Sequence, residues 1–276
     1  MIYFPNCKIN IGLNVVEKRS DGFHNIETLF YPIPLEDVLE IRPKESEETE
    51  IVLSGIPIET KSNDDNLCIR AYRLIKADYP ELPQVSIHLH KLIPMGAGLG
   101  GGSSDAAFTL KLIDFLFGLN LSLEKLDGYA RKLGADCAFF IYNVPAFGFN
   151  KGDELSPTTL SLRGKTIVLV KPDIFISTKE AYAGIVPMRD EFDLLNIVES
   201  LPIKEWRHFV KNDFEKNIFA KHGEFQKIKD KLYDIGALYA QMSGSGSTMF
   251  GIFDTELSEN EINLFNYPFV CQKSLK

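Results

Sequence analysis

The chain has 276 residues, of which 45% are hydrophobic, 25% charged and 11% aromatic, a composition that excludes a disordered chain, a collagen-like repeat and a disulfide-stapled miniature scaffold. Its 30 basic side chains face 38 acidic ones, for a formal net charge of -8, the wrong sign for a general nucleic-acid or anionic-membrane surface. No window approaches the roughly 18 consecutive apolar residues of a membrane span, and MIYFPNCKIN lacks the basic start and apolar run of a signal peptide. A cytoplasmic location is expected, with neither nucleic acid nor membrane as partner.

Four cysteines, Cys7, Cys68, Cys137 and Cys271, are far apart and form no CxxC pair, which fits reduced thiols and no metal site. His88 and His90 in VSIHLHK share one strand face at a period of two, but no third ligand is near in sequence, so an ordinary strand is expected.

In chain order, residues 7–16, 38–42 and 51–53 read as β-rich runs. The charged stretch KESEETE at 44–50 reads as a solvated hairpin end. Asn63-Asp-Asp-Asn66 offers caps to a helix over 66–79, and residues 84–90 alternate as a strand. A glycine-rich loop over 96–102 leads to a helix over 105–117, and Ser122 opens a second helix that stops at Gly134. A strand begins near 166, helices are expected around 191–200, 204–210 and 223–235, and a strand over 248–253 follows the loop SGSGS. The turn-rich stretch before 166 suggests a boundary near 155, giving domains 1–155 and 156–276.

The segment Pro94-Met95-Gly96-Ala97-Gly98-Leu99-Gly100-Gly101-Gly102-Ser103-Ser104-Asp105 carries the strongest signal, with five glycines in the seven positions 96–102. Glycines let successive N–H groups turn into one concavity and admit a phosphate with no Cβ in the way. A helix N-terminus then adds unpaired donors and about half a positive charge. The residues 96–104 contain no lysine, so this is not a Walker A loop. Gly96, Gly98 and Gly101 satisfy GxGxxG, yet a second helix follows where a dinucleotide fold needs a strand. The HRD and DFG signatures of eukaryotic protein kinases are absent.

This loop resembles the second motif of the GHMP kinases. Pro5-Asn-Cys-Lys-Ile-Asn-Ile-Gly12 resembles their first motif, and Ser243-Gly-Ser-Gly-Ser-Thr248 their third. The resemblance spans residues 5 to about 253. It implies an α+β fold of two domains with the active site in the cleft between them, ATP as co-substrate and Mg2+ bridging its phosphates. KINIGL followed by DGFH and ETLF, and GAGLGGGSSDAA followed by GADCAFF, resemble the branch whose acceptor is a cytidyl-diphosphate-linked polyol of isoprenoid precursor synthesis.

Carried over residue by residue, the resemblance implies Lys8 and Asp136 as the phosphoryl-transfer pair. Such a pair can remove the hydroxyl proton and stabilise the migrating phosphoryl group. A carboxylate in an apolar run such as GADCAFFI is costly unless it caps a helix, is paired or is functional. The resemblance places the nucleoside of ATP beside Asn66, Leu67 and Lys91, with its phosphates on residues 94–104. For the acceptor it implies Asn10, Phe23, His24 and Tyr182, with aromatic rings stacking on cytosine and His24 reading its edge. Gly244, Ser245 and Gly246 would close over the acceptor's diphosphate.

Two positions depart from the family pattern. Phe23 stands where relatives usually carry Tyr, which keeps stacking and loses a phenolic hydrogen bond. Asp105 stands where they often show Asn; as an N-cap it would preserve the helix, and its charge would need to be offset near a polyphosphate. A metal-binding Glu after the second motif, used by mevalonate-kinase-like relatives, is not evident, so no protein ligand of Mg2+ is assigned. Another small-alcohol kinase of the homoserine or mevalonate type, and a nucleotide-binding sensor on the same fold, are the competing readings.

Overall fold

The structure is a computed structural model that describes residues 1–57, 62–189 and 192–276. The chain opens with β1 (Ile2–Tyr3), two long strands, β2 (Asn6–Lys18) and β3 (His24–Glu36), then β4 (Val38–Lys44) and β5 (Glu50–Gly55). A 3-10 turn at Asn63–Asp65 leads into α1 (Leu67–Asp78), β6 (Gln84–Lys91), α2 (Gly101–Phe117), α3 (Leu123–Leu133) and α4 (Cys137–Tyr142). The hairpin β7 (Ala146–Phe149) and β8 (Glu154–Pro157) precedes β9 (Thr166–Lys171), α5 (Thr178–Tyr182) and α6 (Leu194–Ser200). After a 3-10 segment at Ile203–His208 come α7 (Asp213–Lys221), α8 (Glu224–Asp234), β10 (Tyr239–Met242), β11 (Met249–Phe253), α9 (Glu259–Ile262) and β12 (Phe269–Ser274).

These elements form two compact units. One gathers Met1–Cys7, Leu35–Met95 and Gly100–Val144; the other gathers Lys8–Pro34, Gly96–Leu99 and Pro145–Lys276. Both are discontinuous in sequence, where the sequence suggested a single passage near 155.

In the first unit the sheet order is β1-β4-β6-β5, with β5 parallel to β6 and β4 antiparallel to it. The stretch 44–50 is therefore not a hairpin end: it carries the chain across β6, and Lys44 pairs with Glu50 at 2.5 Å. Alternation along β6 buries Val85, Ile87 and Leu89 and exposes His88 and His90, as expected of an ordinary strand. The same alternation carries Lys91 to the buried face, where its exposure is 0%. Leu110, Ile113, Phe139 and Phe140 are buried in the core of this unit.

In the second unit β2-β3-β7-β8 form one sheet and β10-β11-β9-β12 another. A core of Val168, Val170, Phe214, Phe225, Leu232 and Met249 fills this unit, with Leu13 and Val15 of β2 packed into it. The long strand β3 is missing from the sequence reading because Pro32 and Pro34, with Glu27 and Glu36, interrupt its alternation. The short strand β10, also unanticipated, changes the setting of SGSGS: the loop joins two antiparallel strands, not a helix and a strand. In place of the helix expected over 204–210 stands the 3-10 segment Ile203–His208, and the start of the helix expected from 191 lies outside the described residues.

Candidate active site

Strand β2 is buried on both faces from Asn6 to Val15. Its odd positions Cys7, Ile9, Ile11, Leu13 and Val15 are apolar, while its even positions place Lys8, Asn10 and Asn14 on the opposite face, each 3% exposed. Buried polar groups of this kind need partners. Lys8 Nζ donates to Asn10 Oδ1 at 2.6 Å and to the Gly98 carbonyl at 3.2 Å. Asn10 Nδ2 donates to Thr28 Oγ1 at 3.0 Å, and that hydroxyl donates to the Gly12 carbonyl at 2.5 Å. Both ends of the Asn10 amide therefore fix the ammonium of Lys8 and the strand β3 beside it.

The glycine loop and the third motif meet at this place. Ser243 Oγ donates to the Gly98 carbonyl at 2.8 Å and accepts from Asn10 N–H at 3.2 Å. The Ala97 and Leu99 carbonyls accept from the backbone N–H groups of Thr248 and Lys8 at 3.2 and 3.0 Å. Gly98 has φ +75°, and a Cβ there would stand 2.0 Å from the Ser243 carbonyl oxygen, so only glycine fits. Asn212 completes the frame: its Nδ2 donates to the carbonyls of Met242 and Gly244, both at 2.8 Å, and its Oδ1 caps α7 through Phe214 N–H. Gly244 and Gly246 are buried and Ser245 is half-buried.

The helix after the loop starts at Gly101, four residues before the expected start, with Gly100 as its N-cap and no side-chain capping bond. Ser104 N–H bonds to the Gly100 carbonyl at 2.9 Å, which leaves the N–H groups of Gly101, Gly102 and Ser103 as the helix's orphan donors. An uncapped first turn of a 17-residue helix is suited to a polyphosphate. Pro94 is buried, while Met95 is 40% exposed.

The early start corrects the reading of Asp105, which is no N-cap. It lies inside α2, 2% exposed, with Oδ2 accepting from Lys91 Nζ at 2.6 Å. Lys91 also bonds Asp37, whose other oxygen accepts from the N–H groups of Leu92 and Ile93 at 2.6 and 2.9 Å. The side chain of Lys91 is thus committed to two buried carboxylates and is not available to a nucleoside, which corrects its assignment; its carbonyl accepts from Ile56 N–H at 2.9 Å. Burial pushes the Asp105 carboxyl up, with the Asp37 charge adding and the Lys91 charge opposing. Burial alone would lower the Lys91 ammonium, but the two carboxylates outweigh it and raise it.

Asn66 and Leu67 do lie together with Met95 and Gly102. They line a cavity of about 100 Å³ that Cys68 and Asp105 also border. Asn66 is the N-cap of α1, its side chain accepting from Cys68 N–H at 2.9 Å.

Asp136 occupies the N-cap position of α4, a short helix hidden in sequence behind the strand-like run CAFFIY. Its side chain makes no capping bond, so the helix-cap explanation of this carboxylate fails.

On the acceptor side the structure brings His24 and Tyr182 into a stack, with centroids 4.6 Å apart at 23°. Phe214 meets Tyr182 edge-on at 4.8 Å. Tyr182 therefore backs the imidazole, and the open ring is that of Phe23, 61% exposed with Lys151 Nζ 5.6 Å from its centroid. Burial lowers the His24 pKa, and the charge of Lys18 lowers it further, so the ring is neutral near pH 7 with one donor and one acceptor nitrogen.

The sequence reading did not include Thr28, Lys151 or Asn212. Only Thr28 carried a usable signal, through the motif ETLF.

Comparison with known proteins bears on these groups together. The model for the GHMP kinases N terminal domain matches residues 66–144, and that for GHMP kinases C terminal matches 198–264. The 4-diphosphocytidyl-2-C-methyl-D-erythritol kinase of Bacteroides fragilis is 49% identical over the whole of both chains. That of Cytophaga hutchinsonii is 50% identical over 96% of this chain and 97% of its own. A crystal structure of 4-(cytidine 5'-diphospho)-2C-methyl-D-erythritol kinase matches with a TM-score of 0.80 and 28% identity, over 99% of this chain and 98% of that one. A homoserine kinase structure from Cytophaga hutchinsonii shares the fold, with a TM-score of 0.72 and 16% identity. With both halves matched and likeness near one residue in two from end to end, the chain belongs to the GHMP kinases and, within them, to the family of the 4-diphosphocytidyl-2-C-methyl-D-erythritol kinases.

Proposed function

We propose that this protein transfers the γ-phosphoryl group of ATP to the 2-hydroxyl of 4-diphosphocytidyl-2-C-methyl-D-erythritol, giving the 2-phosphate and ADP in isoprenoid precursor synthesis. The observation that carries the chemistry is the buried Lys8 ammonium, which donates to the Asn10 amide oxygen and to the Gly98 carbonyl of the glycine loop. In this reading Lys8 stabilises the charge on the migrating phosphoryl oxygens, and the carboxylate of Asp136 takes the proton of the acceptor hydroxyl. The orphan N–H groups at the start of α2 hold the ATP phosphates. Residues 1–155 then carry the first two motifs, and 156–276 the third.

The base of ATP is received by the cavity of Asn66, Leu67, Met95 and Gly102. Phe23 and neutral His24 receive cytosine, one by its face and one by its edge, with Tyr182 as backing. Asn10 positions Lys8. The loop Gly244-Ser245-Gly246 offers backbone donors to the acceptor's diphosphate.

Mg2+ takes oxygen ligands, which the ATP phosphates would provide, and no side chain of this protein is assigned to it. The ion would neutralise phosphate charge. As to setting, no helix among the described residues is long and apolar enough to cross a membrane.

The test is ADP release by the purified protein with Mg-ATP and the cytidyl acceptor, beside Asp136→Asn and with homoserine and mevalonate as controls. Turnover confined to the cytidyl acceptor, lowered about 10²- to 10⁴-fold in the variant, supports the reading. Turnover with another alcohol moves the substrate. ATP binding with no transfer to any acceptor sinks the enzyme.

A further inference from the structure

The buried cluster of Asp37, Lys91 and Asp105 has one group left over. Asp105 Oδ2 bonds Lys91, but Oδ1 is buried with no hydrogen-bond partner, a rare and costly state for a carboxylate oxygen. The same residue borders the cavity formed with Asn66, Leu67, Cys68, Met95 and Gly102. Two other polar side chains line it: Asn66, which already spends its oxygen on capping α1, and Asp65, which is exposed. The cavity is otherwise mainly apolar, so Asp105 Oδ1 is the buried acceptor it has to offer.

We propose that Asp105 determines the nucleobase: its unpartnered oxygen accepts a hydrogen bond from the exocyclic amino group of adenine, so that the cavity selects a 6-amino purine over a 6-oxo purine. This rests on the reading that the cavity receives the base of ATP. A guanine in the same pose would present a carbonyl oxygen to a carboxylate, leaving two acceptors face to face.

The charged and titratable groups around Asp105 are Lys91 from β6, Asp37 from the turn between β3 and β4, Cys68 from α1, whose thiol burial raises, and the exposed Asp65 that lines the same cavity. Burial, with Asp37 against Lys91, pushes Asp105 up to about 7. Above that pH the carboxylate accepts from a 6-amino group; below it the protonated acid donates to a 6-oxo group. Preference for adenine should therefore grow as pH rises through neutrality. An asparagine amide presents either an oxygen or an amino group and has no such titration.

The experiment is calorimetric binding of ADP and GDP to the full chain at about pH 6 and about pH 8, for the wild type, Asp105→Asn and Leu67→Trp. It needs no acceptor. In the wild type the ratio of ADP to GDP affinity is expected to rise about tenfold between the two pH values, and in Asp105→Asn to be lower and flat. A wild-type ratio that does not change with pH, or an Asp105→Asn ratio equal to the wild type's at both, overturns the proposal. Leu67→Trp fills the cavity and is expected to weaken ADP at least tenfold. Unchanged ADP affinity there would place the base elsewhere and overturn the reading beneath the proposal, whereas weakened ADP with an unaltered Asp105→Asn ratio would overturn the role of Asp105 alone.

Discussion

Two buried lysines, Lys8 and Lys91, look alike in sequence: each interrupts an apolar strand, and each was expected to meet a ligand. Their surroundings separate them. Lys91, 0% exposed, lies between two carboxylates of its own unit, Asp37 and Asp105, so its charge is neutralised where it sits. Lys8, 3% exposed, is anchored by the Asn10 amide and the Gly98 carbonyl, and the glycine loop and third motif converge on it. Lys91 ties together β6, α2 and the turn before β4, whereas Lys8 stands where the glycine loop and the third motif converge. What converges on a buried cation, more than its burial, thus separates these two lysines.

If the contrast holds, removing each lysine should fail differently. Lys91→Met leaves two carboxylates buried without their cation and should cost about 3–5 kcal/mol of unfolding free energy, read from denaturant melts. Lys8→Met should lower kcat about 10²- to 10³-fold, read by steady-state kinetics. A kcat that stays at the wild-type value in Lys8→Met would erase the distinction.

A smaller effect sharpens the account of the third motif. Asn212→Ala removes the donor shared by the Met242 and Gly244 carbonyls and the cap of α7. It should cost about 1–3 kcal/mol and raise the acceptor KM more than the ATP KM, measured by steady-state kinetics.

The smallest effect is a matter of pH. The Asp105 pKa is raised above the value near 3.9 of an unfolded chain, to about 7, so the folded state binds this proton more tightly. Its contribution is present below about pH 4 and is lost as pH rises through about 7. Asp105→Asn lacks that loss, so its melting temperature should gain on the wild type between about pH 5 and about pH 8, as scanning calorimetry would record. An equal pH slope in both proteins would remove Asp105 from the titration.

Much of the site was legible because its signals are local. Five glycines in seven positions mark the loop, and the alternation in CKINIGLN puts Lys8 and Asn10 on one strand face. The rest depended on residues far apart in the chain. Lys91 and Asp105 were misread because Asp37, which completes their cluster, lies 54 residues before Lys91. Asn212 reaches its carbonyl partners 30 and 32 residues later, so no window contains the interaction. Strand β10 has four residues and a glutamine at its centre, too little for periodicity to reveal. Short α4 is absent from the sequence reading because CAFFIY is six residues of one apolar run, too short and uniform for a helical period to show.

The most direct measurement is a single turnover: γ-labelled ATP and 4-diphosphocytidyl-2-C-methyl-D-erythritol mixed with excess wild type, Lys8→Met or Asp136→Asn, with bound ATP and label on the acceptor followed together. The account predicts rapid transfer by the wild type and transfer slowed at least about 100-fold in both variants while ATP remains bound. Transfer by Lys8→Met at the wild-type rate would contradict it.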